Sequence, residues 1–358
     1  MLRFDRPVTR VLMICRGSAK HGLGHVIRSR TVAAELATRS RVKLVVIGDT
    51  HAEPLLTGQN FPSLIVKDDR EVASELVAFA PDIVIFDLLE LEAELLNSIL
   101  ESRFTVSLSP IFSAMLEVDM VFHRTRYLDE GLSASSFRGS LRCGLEYAIV
   151  RRQCIRIESD EYEANAFGKP LAVAISMGGG DASNKTLQLL TALRSVEVPL
   201  LLWVLLGEAY THSYDALVDC VKRDSRHEII LAKTGDSMWR IMRQCAVAIL
   251  AGGTVTYEAA FAGLPSINTF EERGHLFLVR ELVEKGVCLN AGFPFDDAVD
   301  VAIAQLRQLE SSRSQLVEMH HRCRELVGND AAERIANEII AQFWEKSDNC
   351  EASLEQSL

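Results

Sequence analysis

The sequence predicts an α/β protein built as two Rossmann-like domains that face each other across a cleft. Three observations lead there. Short apolar runs alternate with amphipathic stretches along nearly all 358 residues, and this alternation occurs twice, on either side of a polar stretch, Arg151–Lys169. Glycine-rich loops follow several of the apolar runs. Strand–helix alternation gives parallel sheets with helices on both faces. Ligands of such sheets bind beyond the carboxyl ends of the strands, which is where these loops fall. At ~100–200 residues per domain the length suits two units: 1–150, and 151–345 with closing helices, followed by a flexible tail at 346–358.

In the first unit, Val11–Cys15 reads as a strand and His25–Thr38 as a helix, with Val26, Ala33, Ala34, Leu36 and Ala37 on one stripe. Lys43–Ile47, Leu64–Val66, Asp82–Phe86, Thr105–Leu108 and a last short run, Asp119–Phe122, read as strands. Glu71–Phe79, stopped by Pro81, and Glu90–Ser102 read as helices. In the second unit the strands are Leu171–Ser176, Leu200–Leu206, Glu228–Leu231, Val247–Leu250 and Ser266–Asn268. Helices start near Asn184 and span Tyr214–Arg223, Ser237–Cys245, Thr254–Phe261 and His275–Lys285. Asp297–Glu310, Ser314–Leu326 and Ala331–Trp344 close the chain.

Apolar residues make up 48% and charged residues 24%, an ordinary globular balance. With 38 Lys+Arg against 49 Asp+Glu the net charge is −11, which argues against nucleic acid or an anionic membrane as the main partner. An anionic ligand must then be held by loop amides, helix ends or a few placed cations. None of the eight cysteines forms C-x-x-C or stands at zinc spacing from a histidine, and no di-carboxylate metal box is present. No metal and no cofactor are expected. The charged start, MLRFDRPVTR, and the lack of an apolar run of ~18 residues lead to the expectation of a soluble, cytosolic protein with no transmembrane segment. The oligomeric state is not legible.

Three motifs carry the chemistry. The first is GLGHVIR, Gly22–Arg28. Gly22 and Gly24 let the backbone approach a ligand, the helix start offers free amides, and His25 and Arg28 lie one turn apart on one face. The same residues also read as a tight turn with a capping histidine. The second is ISMGGGDASNK, where Gly178, Gly179 and Gly180 can cup an anion or a sugar edge. Asn184 is a candidate contact there, although Asp181, Ser183 and Asn184 are also ordinary helix caps.

The third is AGGTVTYEAAFAGLPSI. Gly252, Gly253 and Thr254 place helix-start amides against a pyrophosphate, and Glu258, a turn on, offers two oxygens to the two hydroxyls of a ribose. A base can lie near Leu231. Asp87 follows the Asp82–Phe86 strand and projects into the cleft, as a base or as a helix cap. Glu271, Glu272 and His275 follow a strand where cleft residues are expected. Trp239 and Met242 read as core, and His320 and His321 as surface.

GLGHVIR, CGLEYAIVR (Cys143–Arg151), ISMGGGDASNKT and GGTVTYEAAFAGLPSI together resemble the UDP-sugar hydrolase family of the pseudaminic acid pathway, from Val11 to about Leu289. That family is similar in turn to GT-B glycosyltransferases, such as the lipid-linked N-acetylglucosaminyl transferase of peptidoglycan synthesis. The resemblance implies the GT-B fold, a UDP-sugar in the interdomain cleft, and uridine and pyrophosphate at Gly253, Thr254 and Glu258. It implies that His25 orients or deprotonates a water that displaces UDP with inversion, without a metal. The chain departs from the family's pattern at three places: Arg16-Gly17-Ser18 stands for Arg-x-Asp-x-Ser, Asp87-Leu88-Leu89 for Asp-His-Tyr, and Ser109-Pro110 for Asp-Asp. The first reading is therefore a UDP-sugar hydrolase. The alternatives are a GT-B glycosyltransferase acting on a hydroxyl acceptor and a non-catalytic nucleotide-sugar binder.

Overall fold

The computed structural model describes residues 7–235, 237–271 and 273–355. The first sheet holds β1 (Arg10–Gly17), β2 (Arg41–Gly48), β3 (Ser63–Val66), β4 (Ile83–Asp87), β5 (Phe104–Ser107), β6 (Met120–His123) and β7 (Ser140–Cys143). Its order is β3-β2-β1-β4-β5-β6-β7, with every pairing parallel. The second holds β8 (Leu171–Ser176), β9 (Leu200–Leu206), β10 (Glu228–Lys233), β11 (Val247–Leu250), β12 (Ser266–Thr269) and β13 (Cys288–Gly292). Its order is β10-β9-β8-β11-β12-β13, again parallel throughout.

Central strands are apolar on both faces because helices cover both. All residues of β4, IVIFD, are buried, as are all of β8 and β11. Each sheet reverses its strand order at one point, β1/β4 in the first and β8/β11 in the second. A crevice opens there beyond the strand ends; the loops after β1, β8 and β11 carry the glycine motifs, and Asp87 is the last residue of β4.

Several elements differ from the sequence reading. β7 (SLRC) is only half-buried and polar, so no apolar run announces it. The expected irregular crossing contains a helix, Ser159–Phe167, anchored by only two buried residues, Tyr162 and Ala166. β10 runs to Lys233 rather than Leu231. The strand β13 was also not foreseen. Trp239 and Met242 are core, as expected. His320 is not on the surface: it is fully buried, stacks on Tyr162 and donates from Nδ1 to the Gly263 carbonyl at 2.6 Å, while His321 one residue on is exposed.

The last helix spans Ala331–Glu355, beyond the Trp344 limit and into the segment expected to be a tail. Its buried stripe, Ala332, Ile335, Ala336 and Ile339, packs into the core of the first sheet with Val26, Val32 and Ala33. Ion pairs Arg142–Glu338 and Lys346–Asp119 fix it there. The chain thus returns to its first unit, which a division ending the second at 345 does not capture. Residues 356–358 lie outside the described residues. No helix among the described residues is long and apolar enough to cross a membrane.

Candidate functional site

A cavity of about 370 Å³ lies between the two sheets and is lined from both. On the first-domain side, the loop after β1 closes on itself through two backbone bonds between Ser18 and Gly22 (2.8 and 3.3 Å), with Gly22 at φ +75°. The next helix, Gly24–Leu36, starts without a side-chain cap, so its first amides remain available. Gly22, Gly24, His25 and Arg28 all line the cavity.

His25 Nδ1 donates to Asp87 Oδ1 at 2.7 Å. Asp87 also accepts from Arg28 Nε at 2.9 Å, from Arg28 Nη2, and from Ser29 Oγ at 3.2 Å. Burial pushes this carboxyl up, but the Arg28 guanidinium and His25 prevail and hold it at about 2. An ionised acceptor at Nδ1 fixes the proton there, which leaves Nε2 of the neutral ring as the basic nitrogen. Asp87 is fully buried and absent from the cavity wall. The expectation that it projects into the cleft is therefore corrected: it lies behind His25 and Arg28, which it holds by hydrogen bonds.

In the second domain, the loop after β8 brings Gly178 (φ +94°) and Gly179 to the wall. Gly180 serves another end. A Cβ there would collide with the Ala19 carbonyl, so this glycine lets the two domains' loops touch. Asn184 does not reach the cavity; it sits in the left-handed region (φ 52°) and accepts from the Tyr210 hydroxyl at 2.9 Å. Asp181 caps the helix instead, accepting from Lys185 N at 2.8 Å and Thr186 N at 2.9 Å. Lys185 lines the cavity and pairs with Glu271 at 3.2 Å.

Gly252, Gly253 and Thr254 line the wall after β11. Gly252 has φ +66° and would drive a Cβ into Phe270. The helix Thr254–Ala262 also starts without a side-chain cap. Arg28 Nη1 donates to Thr254 Oγ1 at 3.3 Å, so the two uncapped helix starts meet across the cleft.

Glu258 departs from its expected place. It is fully buried and off the wall, and its carboxylate takes Arg151 Nε at 2.8 and 2.9 Å and Trp239 Nε1 at 3.3 Å. The Arg151 side chain lines the cleft in its stead. Leu231 is also off the wall, because β10 continues for two more residues; Leu205, Thr234, Gly235 and Met238 form that part of the lining. His275 and Glu271 line the cavity, and Glu272 lies outside the described residues.

Arg124, Arg151 and Lys185 are wall residues that the sequence does not single out, whereas Ser109, noted in the sequence for its departure from the family's pattern, also lines the wall. Among the described residues, Arg28, Arg124, Arg151 and Lys185 line the cleft beside Glu208 and Glu271, and three of these cations are paired: Arg28 with Asp87, Arg151 with Glu258 and Lys185 with Glu271. Among the described residues no group of three or more His, Cys, Asp or Glu could hold a metal ion.

No family model matches the chain. It is 23% identical over 275 residues to the uncharacterised protein MJ1062 of Methanocaldococcus jannaschii, a match covering 73% of this chain and 56% of that one. It is 22% identical over 343 residues to the spore coat polysaccharide biosynthesis protein SpsG of Bacillus subtilis, covering 92% of this chain and 97% of the other. Among solved structures, MurG of Acinetobacter baumannii superposes with a TM-score of 0.64 at 17% identity, over 93% of this chain and 99% of that one. A UDP-N-acetylglucosamine 2-epimerase described from Listeria monocytogenes gives 0.65 at 15%, over 96% and 98%. S. aureus MnaA solved with UDP gives 0.62 at 12%, over 93% and 96%. Two parallel-sheet α/β domains that face each other across a cleft, and that superpose along nearly their whole length on these proteins, make this a GT-B fold.

Proposed function

We propose that the chain is a nucleotide-sugar-processing enzyme that cleaves the bond between an anomeric carbon and a diphosphate and passes the sugar to an acceptor hydroxyl. One observation carries this reading: a histidine with its Nδ1 proton fixed by a buried carboxylate stands opposite an uncapped helix start, bridged to it by Arg28. His25 Nε2 takes the proton of the entering hydroxyl as its oxygen bonds to the anomeric carbon. The electron pair of the broken bond goes to the diphosphate, and the amides at Gly253 and Thr254 meet that charge. The base then lies toward Thr234, Gly235 and Met238, and Arg151 stands at the ribose edge with Glu258 behind it. A GT-B neighbour solved with UDP and a relative named for polysaccharide biosynthesis support UDP and surface-glycan synthesis as the setting.

A sugar or other alcohol is the favoured acceptor, because Leu55, Pro110 and Ile111 give the first-domain wall an apolar surface. The second reading, hydrolysis with water as acceptor, draws on Ser109, a wall residue whose buried hydroxyl has no partner among the described residues and can hold a water. Incubation with a panel of UDP-sugars, with and without acceptor alcohols, separates them by mass spectrometry. UDP released only with acceptor supports transfer, and UDP released without it supports hydrolysis. No release in any arm contradicts the enzymatic reading.

A further inference from the structure

Arg124 is the first residue beyond β6 and lines the cleft from the first domain, yet its surroundings belong to the second. Its guanidinium lies 5.2 Å over the ring of Tyr257, on the helix whose start is Thr254. The residues on either side are tied to the same domain. His123 stacks on Phe277 at 5.6 Å between ring centroids, and Thr125 Oγ1 and Arg126 N donate to the buried Glu281 carboxylate at 3.2 and 3.0 Å. The Tyr127 hydroxyl donates to Glu284. The loop after β6 is thus a strap from one domain clamped to the other, with Arg124 held between its anchors.

This arginine is short of compensation. Its Nε is buried without a hydrogen-bond partner, and among the described residues no carboxylate forms an ion pair with it. Arg28, its neighbour, is committed to Asp87. A second cavity of about 10 Å³, on the scale of a single water, lies between Arg28, Arg124, Thr254 and Tyr257. A half-buried guanidinium with a buried, unpartnered Nε and no carboxylate beside it is costly, and a fold that clamps one beside a helix start has arranged a place for a ligand's negative charge.

We propose that Arg124 is a diphosphate-binding residue supplied across the domain boundary. It neutralises the charge that gathers on the nucleoside diphosphate as the anomeric bond breaks, while staying protonated throughout. Glu281 is the positioning residue that docks its loop. The inference rests on the nucleotide-sugar reading and deepens it.

Calorimetry with UDP, inorganic pyrophosphate and uridine tests it on the wild type, Arg124→Met and Arg124→Lys, each checked for folding by thermal melting. The expectation is that Arg124→Met weakens UDP and pyrophosphate at least about 10-fold and leaves uridine within about twofold, in the range of a lost charge-assisted hydrogen bond. Arg124→Lys, which keeps the charge but loses the planar fork, falls between, and it carries the test if the methionine variant does not fold. Unchanged UDP and pyrophosphate affinity in either variant overturns the proposal, as does a proportional loss of uridine. If wild type binds pyrophosphate through Arg124 but not UDP, the nucleotide reading falls and the anion site stands. If UDP binds wild type and variants alike, Arg124 falls and the nucleotide reading stands.

Discussion

His25 Nδ1 lies 2.7 Å from Asp87 Oδ1, although the two residues come from different strand–helix units and stand 62 positions apart. The reversal of strand order between β1 and β4 brings them together, since one follows β1 and the other ends β4. Under the proposed function this pair is the first domain's base, with His25 on the cavity wall. His25→Ala is expected to abolish turnover and leave UDP affinity within about twofold. Asp87→Asn is expected to lower kcat roughly 10²–10⁴-fold, the usual weight of a positioned acid–base group. Steady-state rates beside calorimetric UDP affinities check this, and a His25→Ala enzyme that still turns over contradicts the base assignment.

The depressed carboxyl of Asp87 predicts an acid limit. Its folded value of about 2 lies below the ordinary 3.8, so the folded protein binds this proton less readily than the unfolded chain. The stabilisation is fully present above about pH 4 and is lost as pH falls toward 2, with a magnitude on the order of 2 kcal/mol. Denaturant unfolding of wild type and Asp87→Asn between pH 5 and 2.5 should show the stability difference narrowing as pH drops. A difference that stays constant refutes the linkage.

Glu258 is held by Arg151 and Trp239 in the interior, which changes what its removal should do. Glu258→Ala removes a buried carboxylate that pairs with Arg151, and breaking such a pair costs about 3–5 kcal/mol. The expected outcome is a large fall in unfolding free energy, with UDP affinity reduced through a displaced Arg151. A variant as stable as wild type but deficient in UDP binding would instead return Glu258 to direct ribose contact.

Two adjacent glycines separate backbone conformation from ligand space. Gly252→Ala places a Cβ at φ +66° and against Phe270, and should cost about 1–3 kcal/mol of stability. At Gly253 a Cβ meets nothing within 4 Å and the residue lines the cavity. Gly253→Ala should therefore melt near the wild-type temperature and bind UDP at least about 10-fold more weakly, through methyl overlap with the diphosphate. Thermal melts and UDP titrations of the two variants check the contrast; equal UDP binding by Gly253→Ala and wild type contradicts it.

The sequence reveals the parts of the fold where burial is one-sided in its demands. Val11–Cys15 and Ile83–Phe86 are apolar on both faces because both are covered. The glycine loops stand out because positive φ or close approach at Gly22, Gly178 and Gly252 leaves few alternatives. What stays hidden depends on distant partners. Arg151, 107 positions from Glu258, turns an apparent ligand residue into a buried ion pair. Arg124 follows a four-residue strand with no motif around it, and only the tertiary strap shows that it crosses the cleft. The stripe Ala332, Ile335, Ala336 and Ile339 announces an amphipathic helix without saying which sheet it covers.

The proposed function seats a nucleoside diphosphate between the helix starts at Gly24 and Thr254, within reach of His25. A crystal structure of the protein with UDP tests it most directly. Diphosphate oxygens are expected within hydrogen-bond distance of the Gly253 and Thr254 amides, on the same side of the cleft as His25 Nε2. UDP seated outside this cleft, or a diphosphate turned away from both helix starts, would contradict it.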